Sequence, residues 1–276
     1  MSAGEASLRS LRADCERCFG LCCVVPSFSV SADFAIDKEA GQPCPNLRPD
    51  FRCSIHDRLR PRGFPGCAAY DCFGAGQKVA QETFGGQDWR HTPGIAAQMF
   101  SVFTVMRQLH ELLWYLTEAL TLQAAGPLHR ELGLALAQTE RLSQGGADAL
   151  VALDVAAHRR DVSTLLRRTS DLVRAGARRR QADLTGADLS GKNLSGADLV
   201  GASLRSTYLI DADLSGADLS LADLIGADLR GADLSGADLA TSIFVTQPQL
   251  NAAAGDLGTE LPPSLTRPVH WLPATP

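Results

Sequence analysis

The chain has 276 residues, of which 45% are hydrophobic, 21% charged and 6% aromatic, with a formal net charge of −5. That length holds one large domain or two ordinary ones, and the composition excludes collagen, a long coiled coil and wholesale disorder. No apolar run reaches the roughly 18 residues of a membrane span; the longest candidate, 95–123, is broken by Arg107, His110, Glu111 and Glu118. The opening MSAGEASLRSLRADC lacks the apolar stretch of a secretory signal, so a cytoplasmic location is expected.

Residues 1–94 carry all eight cysteines, as Cys15-x2-Cys18-x3-Cys22-Cys23 followed by Cys44, Cys53, Cys67 and Cys72. With no secretory signal, a disulfide framework is the weaker explanation. Thiolates bind soft or borderline metals, and a Cys-x2-Cys pair sets two sulfurs on one loop as ligands of a tetrahedral ion. Adjacent side chains such as Cys22 and Cys23 diverge, so a single four-coordinate ion takes only one of them readily. The eight sulfurs, all candidate metal ligands, therefore serve one site with spare thiols, or two sites.

The order DCERCFGLCC, GQPCPNL, FRCSIH, GCAAYDCFG resembles the CxxCxxxCC family of zinc- or iron-chelating domains over about 60 residues. The resemblance implies a loop-rich metal-binding domain holding zinc or iron, and all-cysteine ligation suits an iron–sulfur cluster as well. Two departures stand out. His56 replaces the family's usual aromatic residue, making it a candidate ligand or a donor to one, with a solvated loop histidine as the plainer reading. An inserted RLRPRGFPG separates Cys53 from Cys67.

Chemistry beyond metal binding is sparse. The segment YDCFGAGQ, 70–77, has neither GxGxxG nor a Walker lysine. No GxSxG, HExxH or spaced carboxylate pair occurs, and His91 and His110 show no acidic or nucleophilic partner close in sequence. The reading is non-enzymatic, with an iron–sulfur-dependent protein-modifying enzyme as the alternative.

Residues 95–181 read as an α-helical connector. Val102, Met106, Leu109, Leu113, Leu116 and Leu120 form an apolar stripe at helical spacing, ended by Gly126-Pro127. Leu128, Leu132, Ala135, Thr139 and Leu142 form the next, ended by Gly145-Gly146. A third run follows over Ala147–Leu153, and Val162, Leu165, Thr169 and Leu172 mark a fourth. The arginines 159, 160, 167, 168, 174 and 178–180 are the only strong basic feature. They have no interleaved aromatics for base stacking, so direct nucleic-acid binding is disfavoured.

From Leu184 to Leu239 a leucine recurs every five residues, and Phe244 takes the next place. Two positions earlier stands a small residue, mostly alanine, with Lys192, Thr207 and Ser242 as exceptions. A period of five fits neither helix nor flat strand. It suits a chain that turns a corner each repeat, sending Leu and Ala inward, with four faces to a coil of about 20 residues. The pattern resembles the pentapeptide-repeat family, A(D/N)LXX, which implies a right-handed quadrilateral β-helix over 182–246. Residues 247–276 read as a helical cap and Pro-rich tail: Thr246 to Gln249 as a capping box, Gly255 as the helix stop, and Trp271 and Leu272 laid on the solenoid.

The repeats carry ten Asp against Lys192, Arg205 and Arg230. A rigid acidic rod points to a protein-interaction scaffold or regulator, its partner unnamed and a homodimer left open. The alternative is a DNA mimic that binds DNA gyrase or another DNA-binding protein, since duplex DNA carries one charge per ~1.7 Å. The rod is short for that role, at about 15 Å of stacked strands.

Overall fold

The computed structural model describes residues 11–177 and 182–272. The chain divides into two compact units. The first runs to Cys67 and resumes over Asp71–Arg167; the second takes Ala68–Tyr70 and the chain from Arg168 onward. Arg178, Arg179 and Arg180 lie outside the described residues.

The cysteine segment is made of turns, single bridges and short helices: α1 (Leu21–Val24), α2 (Pro65–Ala69) and α3 (Ala75–Gln77), the last running into a π-helical turn over Lys78–Thr83. Antiparallel bridges join Phe28 to Lys38 and Leu47 to Cys53. So few apolar residues cannot close a core of their own. Leu21, Val24, Leu47, Ala75, Val79 and Trp89 pack instead with Met99, Val102, Phe103, Met106 and Leu109 of α4 (Ala96–Thr121).

Helix α4 follows the predicted stripe, but burial extends around it to Leu112, Trp114, Tyr115 and Ala119, as suits a central helix. It ends at Thr121, ahead of Gly126-Pro127, which sit in a 3-10 segment over Gln123–Leu128. Helices α5 (His129–Ser143) and α6 (Ala147–Val151) pack on α4. In α7 (Val155–Arg174) the buried row is Val162, Leu166, Thr169 and Val173. Leu172, expected inside, is exposed because the row steps by four, three and four from Val162.

In the second unit, parallel bridges join residues 20 apart: Asp183 to Ser203 to Asp223 to Ile243, Asp188 to Tyr208 to Asp228, Asn193 to Asp213 to Asp233, and Asp198 to Asp218 to Asp238. Each coil is thus four pentapeptides. The pairing is one residue deep on each face, with Leu N–H donating to the next coil, as from Leu204 to the Asp223 carbonyl at 2.9 Å. The corners need a left-handed backbone, and at Gly231 (φ 69°) any Cβ would also fall 2.0 Å from Asp211 Oδ1. Leucines 204 to 239 and their alanines are fully buried. Thr207 and Ser242 fit the alanine position because their hydroxyls donate to the Leu184 and Leu219 carbonyls of the preceding coil, at 2.7 and 3.0 Å.

The two ends differ. Leu184, Leu189 and Leu194 of the first coil are half-buried and Lys192 is exposed. The far end is closed by α8 (Gln247–Ala252), which buries Leu250, and by Trp271. Beyond α8 the chain rejoins the ladder, Ala254 on Asp233 and Glu260 on Asp238, one and two residues out of the 20-residue step. Gly255 is not merely a stop: a Cβ there would meet the Trp271 ring at 2.6 Å. Leu272, expected against the solenoid, is 45% exposed.

Candidate metal centre

All eight cysteines lie in the first unit and none is in a disulfide. Cys18, Cys44 and Cys72 are buried, Cys22, Cys23, Cys53 and Cys67 half-buried, and Cys15 exposed. Two of them sit in matching turns. In both Cys18-Phe19-Gly20 and Cys72-Phe73-Gly74 the Phe and the Gly are left-handed, with φ of 50° and 63° in the first and 50° and 75° in the second. The cysteine carbonyl accepts the N–H three residues on, from Leu21 at 3.2 Å and from Ala75 at 2.9 Å, and a short helix begins.

A bulky residue held left-handed costs on the order of 1–2 kcal/mol. Here the surroundings impose it. The Phe19 carbonyl accepts the Trp89 indole N–H at 2.9 Å. The Phe73 carbonyl accepts the His110 ring at Nδ1, 2.7 Å away, which fixes the proton on that nitrogen. The two turns meet closely, since a Cβ on Gly76 would fall 2.7 Å from the Cys18 Cβ. Gln77 and Gln81, from α3 and the π-helical turn, donate to the Arg12 and Arg17 carbonyls at 2.8 Å each, fastening the loop that bears Cys15.

The thiols act on one another. A hydrogen bond from Cys18 holds the Cys15 thiol down at about 6, with burial opposing and His56 assisting. Cys18 is pushed up by the same bond, then by burial and by the charges of Cys15 and Cys72, against the Gly20 N–H. Burial raises Cys72, opposed by the N–H groups of Gly76 and Gly74. For Cys22 the bond from Cys23 works downward, but burial and the charges of Cys18, Cys72 and Cys15 leave it raised. Cys23 and Cys53 share a hydrogen bond, which contributes to raising Cys53. Burial, Cys44 and Cys53 push Cys67 up to about 11, with Lys38 opposing.

Lys38 carries no signal in the sequence, yet its ammonium is buried and donates to the Val24, Glu39 and Gln42 carbonyls at 3.0, 3.0 and 2.9 Å. Burial lowers its pKa, and the charges of Cys44, Cys23 and Cys67 work the other way. A fixed cation beside clustered thiols offsets the negative charge they carry when ionised. Trp89, His110 and Lys38 were invisible as site residues because each reaches the cysteines through backbone carbonyls that only the fold brings near.

Among the described residues no three His, Cys, Asp or Glu side chains close into a group that could hold a metal ion. The donor type alone, eight thiol sulfurs in one unit with a buried lysine, is one that a soft or borderline metal takes. His56 acts on Cys15, lowering its thiol pKa by its charge and a hydrogen bond. His91 is a correction, for Asp88 lies three residues before it with Oδ2 at 2.9 Å from Nδ1, an exposed pair at a turn. Of the arginines, Arg159 pairs with Glu111 at 2.7 Å, and Arg174 Nε donates to the Gly201 carbonyl at 2.7 Å. Among the described residues no helix is long and apolar enough to cross a membrane.

The 20-residue coils place this chain among solenoid proteins, and the pentapeptide-repeat model matches eight copies, at residues 180–216 and 202–240. Residues 180–240 thus carry pentapeptide repeats. It is 58% identical over 264 residues to the uncharacterized protein YybG of Bacillus subtilis (strain 168), with 95% of each chain covered. Two solved structures are similar over about a third of the chain. One is a pentapeptide-repeat protein of the Arabidopsis thaliana thylakoid lumen, 30% identical over 32% of this chain and 59% of that one, with a TM-score of 0.19. The other is HetL, involved in heterocyst differentiation regulation in Nostoc sp. strain PCC 7120, 28% identical over 31% and 57%, with a TM-score of 0.12. The chain spans less than two thirds of either solved chain.

Proposed function

We propose that this protein is a non-enzymatic scaffold: a cytoplasmic pentapeptide-repeat rod, a right-handed quadrilateral β-helix, carried with a unit whose cysteines hold zinc or iron. The single observation behind the metal is the gathering of eight free thiols into one unit, on turns pinned by Trp89 and His110. A bound ion would cross-link turns that cannot close a core of their own without α4, which is a folding role. The resemblance to the CxxCxxxCC domains supports the same choice.

The rod's contribution is a rigid, acidic face. Asp198, Asp218, Asp238 and Glu260 stack on successive coils, a row that suits a partner with a basic surface. Two other aspartates are paired, Asp223 with Arg205 and Asp228 with Arg230. That uneven pattern favours protein recognition over mimicry of a uniformly charged duplex.

The test begins with elemental analysis of the full chain, purified without chelator. Stripping the metal is then expected to deprotect backbone amides of 11–77 in hydrogen exchange while the repeats keep theirs. A metal-free protein with those amides already protected contradicts the reading.

A further inference from the structure

We propose that Cys15 and Cys18 form a redox-active dithiol. The exposed Cys15 reacts with a small-molecule disulfide, and the buried Cys18 resolves the adduct to a Cys15–Cys18 disulfide. This goes beyond the metal-bound scaffold and needs no bound ion.

The two positions differ as that order of events requires. Of the eight cysteines, all of them described residues, only Cys15 is exposed, and Cys18 is buried. An outside disulfide therefore meets Cys15 first, since access selects the attacking sulfur. Cys18 lies directly behind it. Its thiol donates to the Cys15 carbonyl at 3.4 Å and also hydrogen-bonds to the Cys15 sulfur. The Arg17 N–H closes the intervening turn on the Asp14 carbonyl at 3.2 Å. Bridging requires Cα atoms no more than about 7 Å apart, and the Cys18 sulfur already reaches back to the backbone of residue 15.

The surroundings hold both partners. Cys18 opens the turn whose Phe19 carbonyl is held by Trp89, and Gly76 packs so close that a Cβ there would fall 2.7 Å from the Cys18 Cβ. On either side of Cys15, Gln77 binds the Arg12 carbonyl and the Asp14 N–H, and Gln81 binds the Arg17 carbonyl. These bonds engage backbone alone and leave the Cys15 side chain outside. The Cys22 and Cys23 sulfurs are also near each other, at 3.9 Å, but neither is exposed to receive an outside disulfide.

In the first step the Cys15 sulfur attacks one sulfur of the external disulfide. That S–S bond breaks, and one thiol leaves with the proton Cys15 gave up. The Cys18 sulfur then attacks Cys15 in the mixed disulfide, and the second thiol leaves with the Cys18 proton. The protein loses two electrons and two protons, and the external disulfide is reduced to two thiols. Reversible pairs of this kind, unlike structural disulfides, occur in reducing compartments.

Glutathione disulfide is the probe, added anaerobically to the full chain purified without chelator. After alkylation and tryptic digestion the products are read by mass spectrometry. Trypsin cuts at Arg17, between the two cysteines, so the proposed bond joins peptide 13–17 to peptide 18–38. The expected result is that link, with Cys22 and Cys23 alkylated and two glutathiones released per chain. Cys18→Ser is expected to stop at one glutathionyl group on Cys15, and Cys15→Ser to abolish both adduct and link. An alkylated Cys15 in the unsubstituted chain, its pairing with any cysteine but Cys18, or links scattered among several cysteines overturns the proposal. Zinc and iron measured in the same sample beforehand test the metal reading separately.

Discussion

At the residue scale the chief commitment is a buried ion pair in the solenoid wall. Asp223 has no solvent exposure, accepts the Ile225 N–H, and is held by Arg205 Nη1 at 2.7 Å. Removing the cation leaves an uncompensated buried carboxylate, which typically costs about 3–5 kcal/mol. Arg205→Ala is therefore expected to destabilise the protein by that order in urea melts, and Arg205→Ala with Asp223→Ala by clearly less. Equal losses for the single and double variants would show the pair to be unimportant.

His110 gives a pH dependence of defined sign. Burial holds its imidazole below the ordinary pKa, against the Phe73 carbonyl bond that favours the charged form. The unfolded chain then takes up a proton near pH 6.5 that the folded chain refuses. Its contribution is complete above that pH and is lost as the pH falls toward the depressed folded value. His158, also lowered by burial, adds to the same slope. Thermal midpoints of the first unit should be level from pH 8 to 7 and fall below about 6.5. His110→Gln, which can keep an N–H donor, should flatten part of that fall.

At the element scale the solenoid's end depends on one glutamine. Gln249 Oε1 accepts the Thr246 N–H at 2.7 Å, while its Nε2 donates to the Leu224 and Ala227 carbonyls of the last full coil, at 2.8 and 2.9 Å. The Thr246-to-Gln249 box was readable in the sequence, but its second task was not. Truncation removes the cap and the Gln249 bond to the Ala227 carbonyl, while the Leu224 carbonyl keeps the Ala227 N–H at 3.0 Å, so Gln249→Ala should cost about 2 kcal/mol, against about 1 kcal/mol for a cap alone; a loss within about 0.5 kcal/mol of zero in denaturant melts would contradict it. Legibility followed the same line elsewhere. The five-residue spacing set the inward leucines and alanines, and heptad-like spacing located α4 to α7. What escaped were features set by neighbours: Leu172 lost its buried place to Val173, and Leu272 stayed outside while Trp271 packed over Gly255. The candidate ligands were readable as cysteines, whereas the matching turns at Cys18 and Cys72 depend on Trp89 and His110, 70 and 37 residues away from the carbonyls they hold.

At the scale of the whole molecule, two kinds of order are joined in one chain. The repeats stack a self-complementary core of leucine and alanine, while the cysteine segment borrows its core from α4. Metal loss should therefore act unequally. With the metal stripped, the repeat unit is expected to keep its cooperative melt, and the first unit to unfold at lower denaturant; coincident shifts in both units would contradict that independence.

The most direct measurement is the metal-to-protein ratio of the full chain, purified anaerobically without chelator and read by elemental analysis beside a count of reactive thiols. Stoichiometric zinc or iron with few reactive thiols is the expected result. A chain free of both metals, with all eight thiols reactive, would contradict the metal-bound scaffold at its root.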